Sequence, residues 1–212
     1  MSGDLENLSR QAFEERLRCV VESTVDDATV DRLWIHYGEL ARWNRRLSLI
    51  GPGTLEESVE RHYGESLAAL ELLGSGDRVL VDIGTGAGFP GWVLAAARPD
   101  LDVTLVESRQ RKWTFLSQVS QKAALPCHCL NARVTPALPE GFPPSVDLVV
   151  MRAVRLGGRE LSAVASRLSE GGRFLLWAGE RPEVEIEGFE TARSLPIRGS
   201  SDRQVLERVR RT

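Results

Sequence analysis

Four glycines, Gly84, Gly86, Gly88 and Gly91, follow Asp82 in the run LVDIGTGAGFPG, and a second acid, Glu107, lies beyond them. Glycine-dense turns let the backbone close around a ligand, and an acid ~20 residues further on suits ribose hydroxyls. Binders of nicotinamide, flavin and S-adenosylmethionine share that pairing. Spacing separates them. A dinucleotide fingerprint, G-x-G-x-x-G/A, ends on a small residue so that helix and strand pack closely. Counted from Gly84, that position is Phe89, and the pattern reads D-x-G-x-G-x-G. A pyrophosphate also favours unopposed helix amides, whereas Asp82 adds negative charge. A sulfonium and an amine tolerate acids well. The residues therefore favour S-adenosylmethionine, with Asp82, Gly84, Thr85, Gly86, Gly88 and Glu107 as candidate contacts. A glycine turn that binds nothing is the alternative.

Other residue types suggest further chemistry. Arg152 directly follows an apolar run, VDLVVM, and a charge at the ligand end of a buried strand points to function. Cys127-His128-Cys129 invites a metal, but zinc takes four ligands and only His36 and His62 remain as further histidines. A short strand is the simpler reading, and no metal is expected. Arg45, Arg46, Arg61, Arg109, Arg111, Lys112, Arg133, Arg155 and Arg203 are candidates for phosphate contacts, which position an RNA without specifying its sequence. On a helix, such residues are more often simply solvated. His62 reads either as a packing residue or as a contact to RNA.

These groups require elements to hold them. The first ~75 residues read as helices. Val30, Leu33, Trp34, Tyr37, Leu40, Ala41 and Asn44 recur at three- and four-residue steps, giving a helix from Asp26 to about Arg46. Thr54 and Glu57 form a capping-box pattern. Leu55, Val59, Tyr63, Leu67 and Leu70 then make the stripe of a helix stopping near Gly74. From Asp77 the pattern changes to alternating strand and helix. Strands are expected at 78–81, 103–106, 127–130, 146–151 and 173–178, with helices at 91–98, 109–124 and 158–169. Glu170-Gly171-Gly172 reads as the turn into the fifth strand, and 185–211 as two weaker strands around a Gly-Ser-Ser loop. Such alternation implies a parallel sheet with helices on both faces, preceded by a helical extension over 1–75.

Bulk properties narrow the classes. The chain has 212 residues, a size that suits a single domain. A formal net charge of −3 argues against coating nucleic acid by bulk charge. No run reaches the ~20 apolar residues of a membrane span. The acidic, polar start is unlike a signal peptide. Three cysteines offer no disulfide framework, so a cytoplasmic setting is expected.

Several stretches together resemble the RsmG (GidB) family of bacterial small-subunit ribosomal RNA guanine-N7 methyltransferases. They are WNRRLSLI (43–50), RHYGESL (61–67), VDIGTGAGFPGWVLAAARPD (81–100), VTLVESRQRKWTFLSQV (103–119), ARV (132–134) and MRAV (151–154). GTGAGFPG followed by FLSQV and RAV is the specific part. The resemblance implies a single domain over 1–212: an α/β Rossmann-like class I methyltransferase fold with a mostly parallel seven-stranded sheet and helices on both faces. It implies S-adenosylmethionine as cofactor and S-adenosylhomocysteine as product. The loop at Gly84 and Phe89 would position the cofactor, Glu107 would hold the ribose, and Val134 and Thr135 would border the adenine. His62 would pack as a hinge against the glycine loop, and Arg152 would line the site between cofactor and target base. Arg109, Arg111, Lys112, Arg133 and Arg203 are taken as RNA contacts. The partner would be ribosomal RNA or the small subunit, with the chain a monomer and no membrane involved.

Guanine N7 chemistry fits what is present. Its lone pair needs no deprotonation, and no general base stands out. Exocyclic-amine methylation commonly uses an Asn/Asp-Pro-Pro-aromatic run where Met151-Arg152-Ala153 stands, and carbon-5 methylation needs a cysteine nucleophile. Cys127 and Cys129 fall at the wrong end of their strand for that. The chain departs from the family at Met151 (usually Ser), Ala178 (usually Lys), Thr135 (usually an acid), Gln204 (often aromatic or His) and Ser48-Leu49-Ile50 (Asn-Leu-Thr). The alternative is a diverged cofactor-binding relative with another substrate or a non-catalytic role.

Overall fold

The computed structural model describes residues 8–21, 25–51, 57–179 and 185–211. Its sheet contains β1 (Val79–Ile83), β2 (Asp102–Val106), β3 (His128–Leu130), β4 (Val146–Arg152), β5 (Leu168–Ala178), β6 (Phe189–Pro196) and β7 (Gln204–Arg210). The strand order is β3-β2-β1-β4-β5-β7-β6, so the sheet is seven-stranded. Neighbours from β3 through β5 pair in parallel, and β7 runs antiparallel to both β5 and β6. The winding reverses between β1 and β4, the place where ligands gather at the carboxyl ends of strands.

Strand alternation sorts the core into two faces. Leu80, Leu148, Val150, Leu175 and Val205 belong to one cluster, and Val81, Ile83, Val149, Met151, Phe174 and Leu206 to the other. The first face is covered by α4 (Gly91–Ala97) and α5 (Gln110–Lys122), and outside them by α1 (Arg10–Val20) and α2 (Asp27–Leu47). The second is covered by α6 (Gly158–Ala165), through Leu161, Val164 and Ala165. The first cluster runs unbroken from Phe13 and Leu33 through Trp92 and Phe115 to Val150, so the N-terminal helices form an outer layer of the same core. The two-residue period puts Asp82, Arg152, Trp177 and Arg203 in phase with Leu80, Val150, Leu175 and Val205, toward that N-terminal layer.

The helix starts follow local chemistry. Ser9 Oγ accepts from the Ala12 amide and Asp26 Oδ1 from the Thr29 amide, each satisfying a donor of the first turn. The helix expected from Asp26 is α2.

Two expectations change. Thr54 and Leu55, and with them the capping box, lie outside the described residues. The regular helix expected to follow them is instead a π-helical turn (Val59–Gly64), then α3 (Glu65–Ala68), then a 3₁₀ turn (Ala69–Leu72). The Glu65 amide reaches back to the carbonyls of Glu60 and His62. Close packing accompanies the wide turn, since a Cβ on Gly64 would come within 2.8 Å of Val20 Cγ2. The second change is at α6, which stops at Ala165 rather than Ser169. Leu168 already pairs with Val146, and Glu170-Gly171-Gly172 is an irregularity inside β5, between the Val146–Leu168 and Leu148–Arg173 pairs. Gly171 has φ +76°, and a Cβ on Gly172 would lie 2.8 Å from the Val146 carbonyl. Glycines that read as a turn in sequence here let one strand bulge against its neighbour.

Candidate cofactor and substrate site

The loop after β1 is set by three glycines at positive φ: Gly84 at +73°, Gly86 at +62° and Gly88 at +97°. At Gly84 a side chain has no room, because its Cβ would meet Val154 Cγ2 at 2.9 Å. Asp82 is fully buried, with Oδ2 accepting from the Gly91 amide at 2.7 Å at the start of α4. A Cβ on Gly91 would sit 2.4 Å from Asp82 Cβ, which explains the glycine there. Asp82 Oδ1 and Thr85 Oγ1 are buried with no hydrogen-bond partner. Burial pushes the Asp82 carboxyl up to about 7, opposed by the hydrogen bond from the Gly91 amide.

Glu107, at the end of β2, is buried and serves both neighbours of the site. Its Oε2 accepts from the Gly86 amide at 3.1 Å and its Oε1 from the Arg109 amide at 2.7 Å. Carboxylate oxygens each keep a further lone pair for a ligand.

The loop is also held from behind. His36 of α2 is fully buried. Its Nε2 lies 2.8 Å from the Ala87 carbonyl, which can only accept, so Nε2 carries the proton and Nδ1 accepts from Tyr63 Oη at 2.7 Å. Burial lowers the His36 pKa to about 4, so the ring stays neutral. His62 stacks on Phe89 at 4.9 Å, and its pKa falls to about 3 through burial and the charge of Arg152. Phe89 is 7% exposed and touches His36, His62 and Tyr63. Asp82 and Phe89 thus shape the loop from inside the protein rather than offering open surface to a ligand.

Two cavities open on either side of the end of β4. One, of about 410 Å³, is lined by Gly84, Val106, Ser108, Val134, Thr135 and Val154, with Arg133 at its exposed rim. The other, of about 610 Å³, is lined by Arg61, Glu65, Arg152, Trp177, Gly179 and Arg203, among others. Arg152 Nη2 meets Glu65 Oε2 at 2.8 Å and the Arg61 carbonyl at 2.7 Å, and Arg203 Nη1 bonds Glu65 Oε1. Burial and the Arg61 charge bring the Arg152 pKa down to about 10.

The expected site residues therefore divide. Gly84, Val134 and Thr135 share the smaller cavity, with Glu107 at the adjoining loop. Arg152 and Arg203 converge in the larger one. The five expected RNA contacts form no single patch. Arg109 and Arg111 are exposed at the start of α5, while Arg133 and Arg203 border different cavities. Lys112 lies near the glycine loop, its Nζ 3.8 Å from where a Gly86 Cβ would stand. Burial lowers its pKa, with Glu107 opposing. Sequence reasoning missed Glu65, Trp177 and Val154. Only the acid within RHYGESL offered a hint, and nothing local linked it to Arg152 and Arg203.

The cysteines do not serve the site. Burial pushes the Cys127 thiol up to about 12, which leaves it unreactive. No group of three His, Cys, Asp or Glu that could hold a metal occurs among the described residues. Nor, among them, is any helix long and apolar enough to cross a membrane.

Comparison with known proteins gives a consistent pattern. The model of the GidB family, rRNA small subunit methyltransferase G, matches residues 30–207. A protein named Ribosomal RNA small subunit methyltransferase G from Paramagnetospirillum magneticum is 36% identical over 167 residues, 79% of this chain and 79% of that protein. One of the same name from Methylorubrum extorquens is 32% identical over 199 residues, covering 90% and 93%. Among solved structures, MtNAS in complex with MTA and tNA superposes with a TM-score of 0.58 at 14% identity, covering 98% of this chain and 91% of that one. TrmN from Thermus thermophilus gives 0.55 at 20% identity, covering 72% and 53%. At these identities the structures share a fold with this chain.

Proposed function

The chain belongs to the GidB family, rRNA small subunit methyltransferase G, and on that premise we propose that it methylates N7 of a guanine in small-subunit ribosomal RNA. The cofactor is S-adenosylmethionine, which supplies a methyl group on a positively charged sulfur, with S-adenosylhomocysteine as product. One observation carries the proposal: a glycine cradle flanked by buried acids lies beside an arginine-lined cavity, with the end of β4 between them.

The residues suit that cofactor better than a phosphate-bearing one. A Cβ would fill the cradle at Gly84, and Asp82 Oδ1 is a buried acceptor with no partner. An acceptor of that kind favours a cation nearby and opposes a pyrophosphate. Gly84, Thr85, Gly86 and Gly88 would form the cradle, Glu107 would take the ribose hydroxyls, and Val134 and Thr135 would border the adenine. Asp82 and Phe89 would act by fixing the loop.

Guanine N7 presents an in-plane lone pair and gives up no proton before attack. The chain therefore has no proton to remove, and its task is to hold two reactants in line. Arg152 would stand at the boundary between them. Its pairing with Glu65 offsets a charge that would otherwise repel a cationic methyl donor. Arg109, Arg111 and Arg133 would add phosphate contacts, and Lys112 would contribute from beside the loop. We take the chain to act as a cytoplasmic monomer on ribosomal RNA or the assembling subunit.

The test uses purified full chain, labelled S-adenosylmethionine and small subunits from a strain lacking this activity. Label should appear in small-subunit RNA as 7-methylguanine, read by mass spectrometry of nucleosides. Label in another base, or none, overturns the assignment.

A further inference from the structure

Two arginines of the larger cavity share one carboxylate. Arg152 Nη2 takes Glu65 Oε2 and Arg203 Nη1 takes Glu65 Oε1, so each oxygen serves one guanidinium. Glu65 is only 3% exposed. Its main chain is fixed as well, since its carbonyl accepts from Trp177 Nε1 at 3.0 Å and its amide closes the π turn. The three residues come from α3, the end of β4 and the entry to β7, so the junction exists only in the folded chain. On the Arg203 side, Nε donates to Ser200 Oγ at 2.9 Å, and a Cβ on Gly179 would crowd Arg203 Cγ at 3.2 Å.

A guanidinium carries five donors in a fixed fork, and a single carboxylate oxygen uses only part of each. Arg152 Nη1 has no hydrogen-bond partner. The charge count also favours an anion. Arg61, Arg152 and Arg203 line the cavity against Glu65 and Asp202. Asp202 already accepts from Ser200 Oγ at 2.8 Å. Burial, followed by the charge of Arg61, lowers the pKa of both Arg152 and Arg203. Positive charge is therefore in surplus beside the half-buried indole of Trp177.

We propose that Glu65 is a positioning residue that presents Arg152 and Arg203 as a paired guanidinium receptor for one phosphodiester group of the RNA. Fixed forks match phosphate oxygens in geometry as well as charge. By cancelling one of the two charges, Glu65 lets an anion bind without building up repulsion toward a cationic cofactor next door. With both oxygens occupied and little exposure, Glu65 itself has no proton-transfer part.

This inference rests on the RNA-methylation proposal, and the experiment separates the two. Binding of the full chain to transcribed small-subunit ribosomal RNA is measured from 50 to 200 mM salt, and S-adenosylhomocysteine binding is measured in parallel. Arg203→Ala should weaken RNA binding about tenfold and reduce the log–log salt slope by about one, as expected for one lost phosphate contact. Arg203→Lys should recover the slope but not the full affinity. Glu65→Gln should raise the KM for RNA severalfold with a smaller effect on kcat and none on S-adenosylhomocysteine affinity. A merely structural salt bridge would leave the salt slope of the folded Arg203→Ala protein unchanged, and that result overturns the proposal. An unaltered RNA KM in folded Glu65→Gln would remove the positioning role. If Glu65→Gln does not fold, the two Arg203 variants decide. A wild-type chain that methylates no small-subunit RNA defeats the functional assignment, whereas methylation with unchanged slopes defeats only this inference.

Discussion

The two cavities beside the end of β4 are built by different means. The proposed cofactor side is mostly backbone: three glycines at positive φ, amides received by Asp82 and Glu107, and an outer layer of His36, Tyr63 and His62 behind the loop. The proposed substrate side is mostly long side chains, with two arginines converging on Glu65. A backbone cradle tolerates little change in shape, because an atom added at Gly84, Gly88 or Gly91 meets a neighbour within 3 Å. A side-chain cluster can change its reach and charge while the strands beneath stay put. The departures from the family pattern fall on both sides: Ala178 and Gln204 pair across β5 and β7 beside the arginine cluster, Thr135 lines the cavity that holds Gly84, and Met151 is buried on the opposite face of the sheet.

The contrast breaks or sharpens under three changes. The largest effect is expected from Gly91→Ala, which would place a carbon 2.4 Å from Asp82 Cβ. Overpacking there should cost about 3 kcal/mol, or roughly 6–12 °C in Tm, measured by calorimetry. A Tm within a degree of wild type would mean that the cradle is more compliant than its packing indicates.

Next comes Glu107→Ala. It removes the acceptor for the Gly86 and Arg109 amides as well as the expected ribose contact. S-adenosylhomocysteine affinity should fall about 10- to 100-fold by titration calorimetry, the range for hydrogen bonds to a charged group. RNA affinity should stay within twofold of wild type. Equal losses in both would show that the two sides are not separable.

The smallest effect is a pH dependence confined to the cofactor side. Asp82 holds its proton up to about pH 7 because burial disfavours the charged form. A bound ammonium favours the ionised carboxylate, so S-adenosylhomocysteine binding is coupled to proton loss. Affinity should rise by up to tenfold from pH 6 to 7 and level off above that. In the free protein the linkage has the opposite sense. Burial of the ionised group costs stability, so stability declines as pH rises from the ordinary carboxyl range toward 7. His36 and His62 titrate near 4 and 3 and leave this window clear. Asp82→Asn should flatten the binding profile, and a profile unchanged by that substitution would remove Asp82 as its source.

Much of the fold could be read from local pattern. Buried parallel strands are short apolar runs, and RVLV, VTLV and VDLVVM announce β1, β2 and β4 with boundaries that hold to within a residue or two. The glycine loop and Glu107 were equally legible, because tight turns and strand-end acids are specified within a few residues. Where local reading failed, packing at a distance decided. The π turn at Val59–Gly64 accompanies the approach of Val20, and the bulge at Gly171-Gly172 answers to Val146 on another strand. The fold also turns Phe89 and Asp82 inward, to ring neighbours and to the Gly91 amide, while Asp82 Oδ1 keeps no partner.

The sequence by itself determined the individual strands of the parallel part, the glycine cradle and the preference for a cationic ligand over a phosphate-bearing one, since each depends on residues close together in the chain. Only the tertiary structure brings Arg152 and Arg203 together. Their meeting at Glu65 depends on strand alternation that turns both toward the N-terminal layer, and on the helical turn of that layer that presents one buried carboxylate between them. Periodicity gives the face on which a side chain stands. It does not give the distant segment that will meet it there.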